Sequence, residues 1–274
     1  MNVSPKEIHD GLIIARVNEH FENSKLYFPE SRIVGLFLQG SQNYGLDYER
    51  SDVDTKLIVT PTFEDIVFNK KPISTTHILE NDEHVDWKDV RLYMNTFVKQ
   101  NLNFLEILFT NFKIINPMYQ EAWNLLERHR EGIARMNPYR AVKSMKGIAM
   151  EKYHAMEHEY PSKVEVLAKW GYDPKQLHHL LRVEEYIGRY INGEPYENCL
   201  RPHNPEYLID VKRGYYDLET ARIVANTAMT NITRIADNFC TQTEDRVDEL
   251  AQAVLNKVQY DIMRIAIGDE FKEG

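Results

Sequence analysis

Gly40-Ser41 ends an apolar run, Arg32 to Leu38, and Asp52-Val53-Asp54 begins a second one that continues through Val59. Both breaks carry groups that can do chemistry. A glycine lets the main chain approach a ligand closely, and amides plus a hydroxyl at the start of a helical turn make a cradle for phosphate oxygens. Aspartates two apart in a strand point to the same face, roughly 7 Å apart along the backbone, so Asp52 and Asp54 can converge on a shared cation. The bare pair says little, because 42 acidic residues in 274 give about six acid-x-acid pairs by chance. Its apolar setting says more, since a buried carboxylate is costly unless something cationic meets it.

Two divalent ions roughly 4 Å apart, the arrangement suited to in-line displacement at phosphorus, need a third acid. Asp86, between Val85 and Trp87, repeats the acid-between-hydrophobes pattern. Asp82 and Glu83 compete for the role, whereas Asp89 reads as the cap of the helix that follows. The plainer reading makes Gly40-Ser41 a strand-to-helix turn and the acids a solvated face.

These residues need elements to hold them. Ser4-Pro5-Lys6-Glu7 is a helix opening with a capping box, which predicts a helix over about 5 to 22. Residues 32–38, 55–59, 75–79 and 84–87 read as strands, and Asp89 caps a helix running to about Gln100. After Asn116-Pro117 the strand signals fade. Long amphipathic stretches then alternate with breaks at Asn137-Pro138, Asp173-Pro174, Gly193-Glu194-Pro195 and Arg213-Gly214. The fold class expected is α+β: a small mixed-sheet domain, residues 1–113, followed by an all-helical domain, residues 114–274.

The helical half carries its own chemistry. In the stretch opened by Asp173-Pro174, Lys175, His178 or His179, Arg182 and Arg189 recur at helical steps, opposite Leu177, Leu180, Leu181, Ile187 and Ile191. Such a stripe is usually a wet face. Here Lys175 and Arg182 suit a triphosphate whose charge metals leave incompletely neutralised. His179 suits either a phosphate contact or packing, and Arg140 and Lys143 are second candidates for phosphate or acceptor contact.

Composition narrows the partners. A net charge of −9 argues against coating nucleic acid by charge alone. The basic residues are segregated instead: seven Lys and Arg between Arg128 and Lys152 meet only Glu131 and Glu151, while the stretch after Thr243 is acidic. One anionic-ligand site on an acidic body fits that pattern. No apolar run approaches the ~20 residues of a membrane span, and Cys199 and Cys240 make no disulfide framework, so a cytoplasmic protein with no membrane partner is expected. His178, His179, Cys199 and His203 lack the tight spacing of a zinc site. Oligomeric state is not legible.

The string from Gly40-Ser41 through Tyr44-Gly45-Leu46 to Ser51-Asp52-Val53-Asp54-Thr55-Lys56, with Asp86 beyond it, resembles the active-site pattern of the DNA polymerase beta-type nucleotidyltransferase superfamily. It is most similar to the RNA-repair-associated, polymerase-beta-like proteins of bacteria and phages. Asp173-Pro174-Lys175 with His179 and Arg182 resembles a second signature of that group. Asn103 to Leu108 resembles a third, with Phe104 in place of the usual proline, and Val211 to Gly214 falls where members have a turn. The resemblance spans residues 30 to 215. It implies that Gly40 and Ser41 hold the triphosphate and that Asp52, Asp54 and Asp86 bind two Mg2+ or Mn2+ ions. The implied reaction is transfer of a nucleotide from ATP or another NTP to a hydroxyl, most readily an RNA end. A protein side chain, a small alcohol or a second nucleotide would use the same parts. The alternatives are a non-catalytic nucleotide- or RNA-binding module and a structural protein with solvated acidic strands.

Overall fold

The computed structural model describes residues 4–48 and 51–272 and shows an α+β protein. Five strands make one mixed sheet: β1 (Ile33–Gln39), β2 (Asp54–Val59), β3 (Ser74–Ile78), β4 (His84–Asp89) and β5 (Lys113–Ile115), in the order β3-β4-β2-β1-β5. Pairing is antiparallel except between β2 and β4, which run parallel. The sheet-bearing half includes α1 (Pro5–Lys25), α2 (Phe63–Val67), α3 (Val90–Val98) and α4 (Leu102–Leu105). Then follow α5 (Gln120–Arg128), α6 (Arg130–Ala134), α7 (Pro138–Ala155), α8 (Val164–Trp170), α9 (Pro174–Ile191), α10 (Tyr196–Leu200), α11 (Pro205–Lys212), α12 (Leu218–Gln242) and α13 (Glu249–Glu270).

Local chemistry sets these boundaries. Ser4 accepts from the Glu7 amide and Glu7 accepts from the Ser4 amide, closing the capping box of α1. Asp89 caps α3, Asn137 caps α7 and Asp173 caps α9, the latter two each followed by a proline in the first turn. The four strands and two helices read from sequence in the first hundred residues lie within three residues of these bounds. Three short elements escape local pattern: α2, α4, and β5, which pairs with β1 and carries the sheet past residue 113.

The alternation of β1 and β2 divides the core. Leu36, Leu38, Leu57 and Val59 face α1, packing with Ile13, Val17 and Phe21. Val34, Phe37 and Ile58 face the other way, into a continuous core that runs through Trp123, Val142, Leu180 and Ile262. Asp52, Asp54 and Lys56 occupy this second face by the same alternation, turned toward the helical half. The sheet and helices therefore share one apolar interior. Trp123 is fully buried with its ring centroid 4.3 Å from that of Phe37. Trp123→Ala is expected to cost about 3–5 kcal/mol and to leave a single unfolding transition. Urea titration followed by circular dichroism checks both, and two separated transitions would contradict a shared core.

Candidate active site

A cleft of about 270 Å³ opens where the end of β1 meets α9 and α11. Gly40, Ser41, Asp52 and Asp54 form its floor; Lys175, His178, His179, Arg182 and Lys212 line its opposite wall. Gly40 has φ +97°, a conformation that residues with a Cβ rarely adopt. Its Cβ position is open, so strain and not space selects glycine there. After it, Ser41–Asn43 makes one 3-10 turn. The Ser41 carbonyl accepts from the amides of Tyr44 and Leu46, and Asn43 donates to the Leu38 carbonyl while accepting from the Thr110 hydroxyl. These bonds leave the Ser41 side of the turn facing the cleft.

The carboxylates approach from the start of β2. Gln42 Nε2 donates to the Asp52 carbonyl at 2.6 Å, tying the acidic segment to the glycine turn. Burial raises the Asp54 carboxyl above its ordinary range; His84 counters this, and the neighbouring Asp52 charge adds to it. A pair of acids so placed favours a cation between them.

The opposite wall is built by α9, whose first turn is set by the Asp173 cap. Arg182 lies with its guanidinium carbon 3.7 Å from the Tyr44 ring centroid, so the aromatic residue of the glycine-serine string steadies a cation from the other half of the chain. Both histidines are held below their ordinary value by burial and by neighbouring charges. His178 shares a hydrogen bond with the Leu208 carbonyl at 2.7 Å, and its pKa falls to about 4. Lys212, at the end of α11, stands over the Tyr48 ring at 4.5 Å. Burial, with Lys175 adding to it, lowers its pKa to about 8. Cations crowded against one another in this way are suited to an anion that relieves the repulsion.

Of the residues singled out from sequence, the cleft gathers Gly40, Ser41, Asp52, Asp54, Lys175, His179 and Arg182. Three others lie elsewhere. Asp86 does not line the cleft: the parallel register sets it opposite Lys56, whose ammonium it meets at 3.2 Å. Asp54 has His84 as its neighbour on β4 instead, with the His84 amide 3.3 Å from its carboxylate. Lys56 is buried and also lies 4.3 Å from the Phe104 ring centroid, so Asp86 serves as counter-ion to a sequestered ammonium. Arg140 is likewise drawn away, to Asp245 at 2.8 Å, and Lys143 rests against Tyr139. Sequence reasoning did not assign Lys212, Gln42 or Tyr48 to the site. The spacing of Asp52, Asp54 and Lys56 on one strand face was the available sign that a lysine would compete for the nearest acid.

No family model matches this chain, and no curated protein does. Among solved structures it is similar to a nucleotidyltransferase-like protein from Exiguobacterium sibiricum, at 9% sequence identity and a TM-score of 0.31, over 91% of this chain and 79% of the other.

Behind the glycine turn lies Glu106, 5% exposed, facing Arg182 and the Gly40 amide. Burial pushes its carboxyl up to about 8 despite those two partners. An acid that holds its proton more tightly when folded contributes stability that is full below about pH 4.5 and is lost as pH rises through about 8. Glu106→Gln copies the protonated form. Melting temperatures from pH 5 to 9 should therefore fall more steeply in the wild type than in the variant; parallel curves would remove Glu106 as the titrating group.

Proposed function

We propose that this chain transfers a nucleoside monophosphate from a nucleoside triphosphate to a hydroxyl acceptor, and that the acceptor is an RNA end. One observation carries the reading: the Gly40-Ser41 turn, the Asp52 and Asp54 carboxylates and the cationic wall of α9 and α11 line a single cleft. A polyphosphate with a metal ion is the ligand whose charges match both walls. The choice of RNA rests on the motif resemblance.

The donor set fits one divalent ion. Asp52 and Asp54 offer hard oxygen ligands, and Mg2+ characteristically completes its shell with phosphate oxygens and water. Among the described residues no three His, Cys, Asp or Glu side chains form a metal-binding group, and Asp86 is engaged by Lys56. The proposal therefore assigns the metal to Asp52 and Asp54 alone. When bound, Mg2+ or Mn2+ supplies charge neutralisation at the α-phosphate and lowers the pKa of an attacking hydroxyl.

The chain's own groups do the rest. Ser41 and the amides of its turn take phosphate oxygens, while Lys175, Arg182 and Lys212 offset the charge of the β- and γ-phosphates. The acceptor oxygen bonds to the α-phosphorus, its proton passes to solvent, and the bond to the bridging oxygen breaks. Pyrophosphate departs against the cationic wall, which stabilises the charge that develops on the leaving oxygens.

A second reading, a nucleotide-binding module without turnover, is favoured by the Lys56–Asp86 pair, which occupies the third acid. Labelled NTPs offered to a panel of RNA ends, to small alcohols and to the protein itself distinguish the two. Transfer to RNA supports the proposal, transfer to another hydroxyl corrects the acceptor, and tight binding without transfer favours the module. Asp54→Asn is expected to lower transfer by about 10³-fold, at the upper end of losses for removed electrostatic stabilisers. Asp86→Asn keeps an acceptor for Lys56 and should stay within roughly tenfold of wild type, as a group outside the metal's ligands does. Equal losses in both variants would restore Asp86 to the metal site.

A further inference from the structure

Glu83 is a carboxylate with almost no access to water, 8% exposed, on the side of the sheet away from the cleft. It adjoins the apolar layer between α1 and the sheet, to which its hydrogen-bond partner Val53 belongs. Yet five donors converge on it. Arg16 reaches Oε2 with Nε at 3.1 Å and Nη2 at 2.5 Å, His20 Nε2 stands 2.9 Å from the same oxygen, and Asn81 donates to it at 3.1 Å. The other oxygen, Oε1, accepts from the Val53 amide at 3.0 Å. His20, fully buried, also places Nδ1 2.9 Å from the Thr55 hydroxyl.

The two points of attachment on the acidic strand are thus residues 53 and 55. Strand alternation sends these toward α1 and sends Asp52 and Asp54 to the cleft. A hub that grips residues 53 and 55 from beneath fixes the direction in which the carboxylate of residue 54 leaves the backbone. Stability alone gives little reason for such a hub, since apolar groups of similar volume often serve a core as well as a buried ion pair does. Its geometry is specific, however, because a satisfied buried network admits one arrangement.

We infer that Glu83, held by Arg16 and His20 of α1, is a positioning residue that sets the Asp52-Val53-Asp54 segment in the geometry needed to hold a divalent cation. The inference rests on the proposed metal-dependent transfer at Asp52 and Asp54. It gives α1 a part in the site although none of its residues lines the cleft. It also separates Glu83 from Asp86: the former acts from behind the sheet through the Val53 amide, the latter balances Lys56.

Two measurements on the full chain test it. Residue-resolved hydrogen exchange reads the Val53 amide directly, whatever the reaction. In Glu83→Ala this amide should exchange at least tenfold faster while Leu57 to Val59 stay protected. Mn2+ affinity, read by electron paramagnetic resonance with a non-hydrolysable NTP present, should weaken about tenfold in the same variant, within the range for groups that orient metal ligands. Raising the metal concentration should then recover transfer at a temperature well below the variant's metal-free melting point, where fold stability does not limit the folded population. Should Glu83→Ala fail to fold, Arg16→Met loosens the carboxylate from a half-exposed position and should move both readouts in the same direction by a smaller amount. Unchanged Val53 exchange in a folded variant overturns the inference, as does unchanged Mn2+ affinity beside a wild type that binds the ion. A wild type that binds no metal, together with an Asp54→Asn variant indistinguishable from it, overturns the proposed function, while Val53 exchange still decides whether Glu83 positions the strand.

Discussion

The site depends on the two-residue period of β2 and the segment leading into it. Successive side chains must face opposite environments, so the chain that sends Val53, Thr55, Leu57 and Val59 into the apolar layer under α1 sends Asp52, Asp54 and Lys56 to the other face. A slip of one residue would bury three charges against α1 and expose the apolar set. Register is therefore secured from both sides: β1 pairs with β2 from Ile33 to Gln39, and β4 pairs from Val85 to Asp89. The catalytic proposal inherits its geometry from this packing requirement.

Charge is handled differently on the two faces. Under the sheet, Glu83 is satisfied by donors from α1 and from its own loop. Above it, Lys56 and Asp86 neutralise each other under Phe104, while the outer pair, Asp52 and Asp54, opens onto the cleft. Across from them, Lys175, Arg182 and Lys212 form no salt bridge among the described residues; Glu106 faces Arg182, and Asp47 and Asp52 act on Lys212 from a distance. The site thus keeps opposite charges apart on facing walls, which suits a ligand that carries both an anionic chain and a cation.

Local features of this arrangement were legible in the sequence, and pairings over distance were not. The apolar run ending at Gly40, the acids at Asp52 and Asp54 and the Asp173-Pro174 cap each follow from neighbouring residues, and each lies where the pattern put it. Asp86 was recognisable as an acid in a strand. Its partner depends on the parallel register of β2 and β4, which the crossover through α2 and β3 decides and no local signal reports. Lys212 enters the cleft only because α11 packs on α9, and Glu83 acquires its role from a helix more than sixty residues earlier. Pairing over distance also places β5 at the edge of the sheet, so the sheet runs on to Ile115, past the boundary expected at residue 113.

The unbroken core between sheet and helices also bears on how a ligand enters. Many two-part enzymes admit substrate by swinging one lobe about a hinge. Here such a swing would pull Phe37 from Trp123 and open a dry seam, at roughly 25 cal/mol for each Å² of apolar surface wetted. Long, pliant side chains at the mouth are a less costly moving part: Lys175 is exposed at the rim, and the Lys212 ammonium rests on an aromatic face from which it can lift. Under the proposed reaction, the side chains of Lys175 and Lys212 are therefore the parts best placed to fold over the triphosphate while the core stays packed.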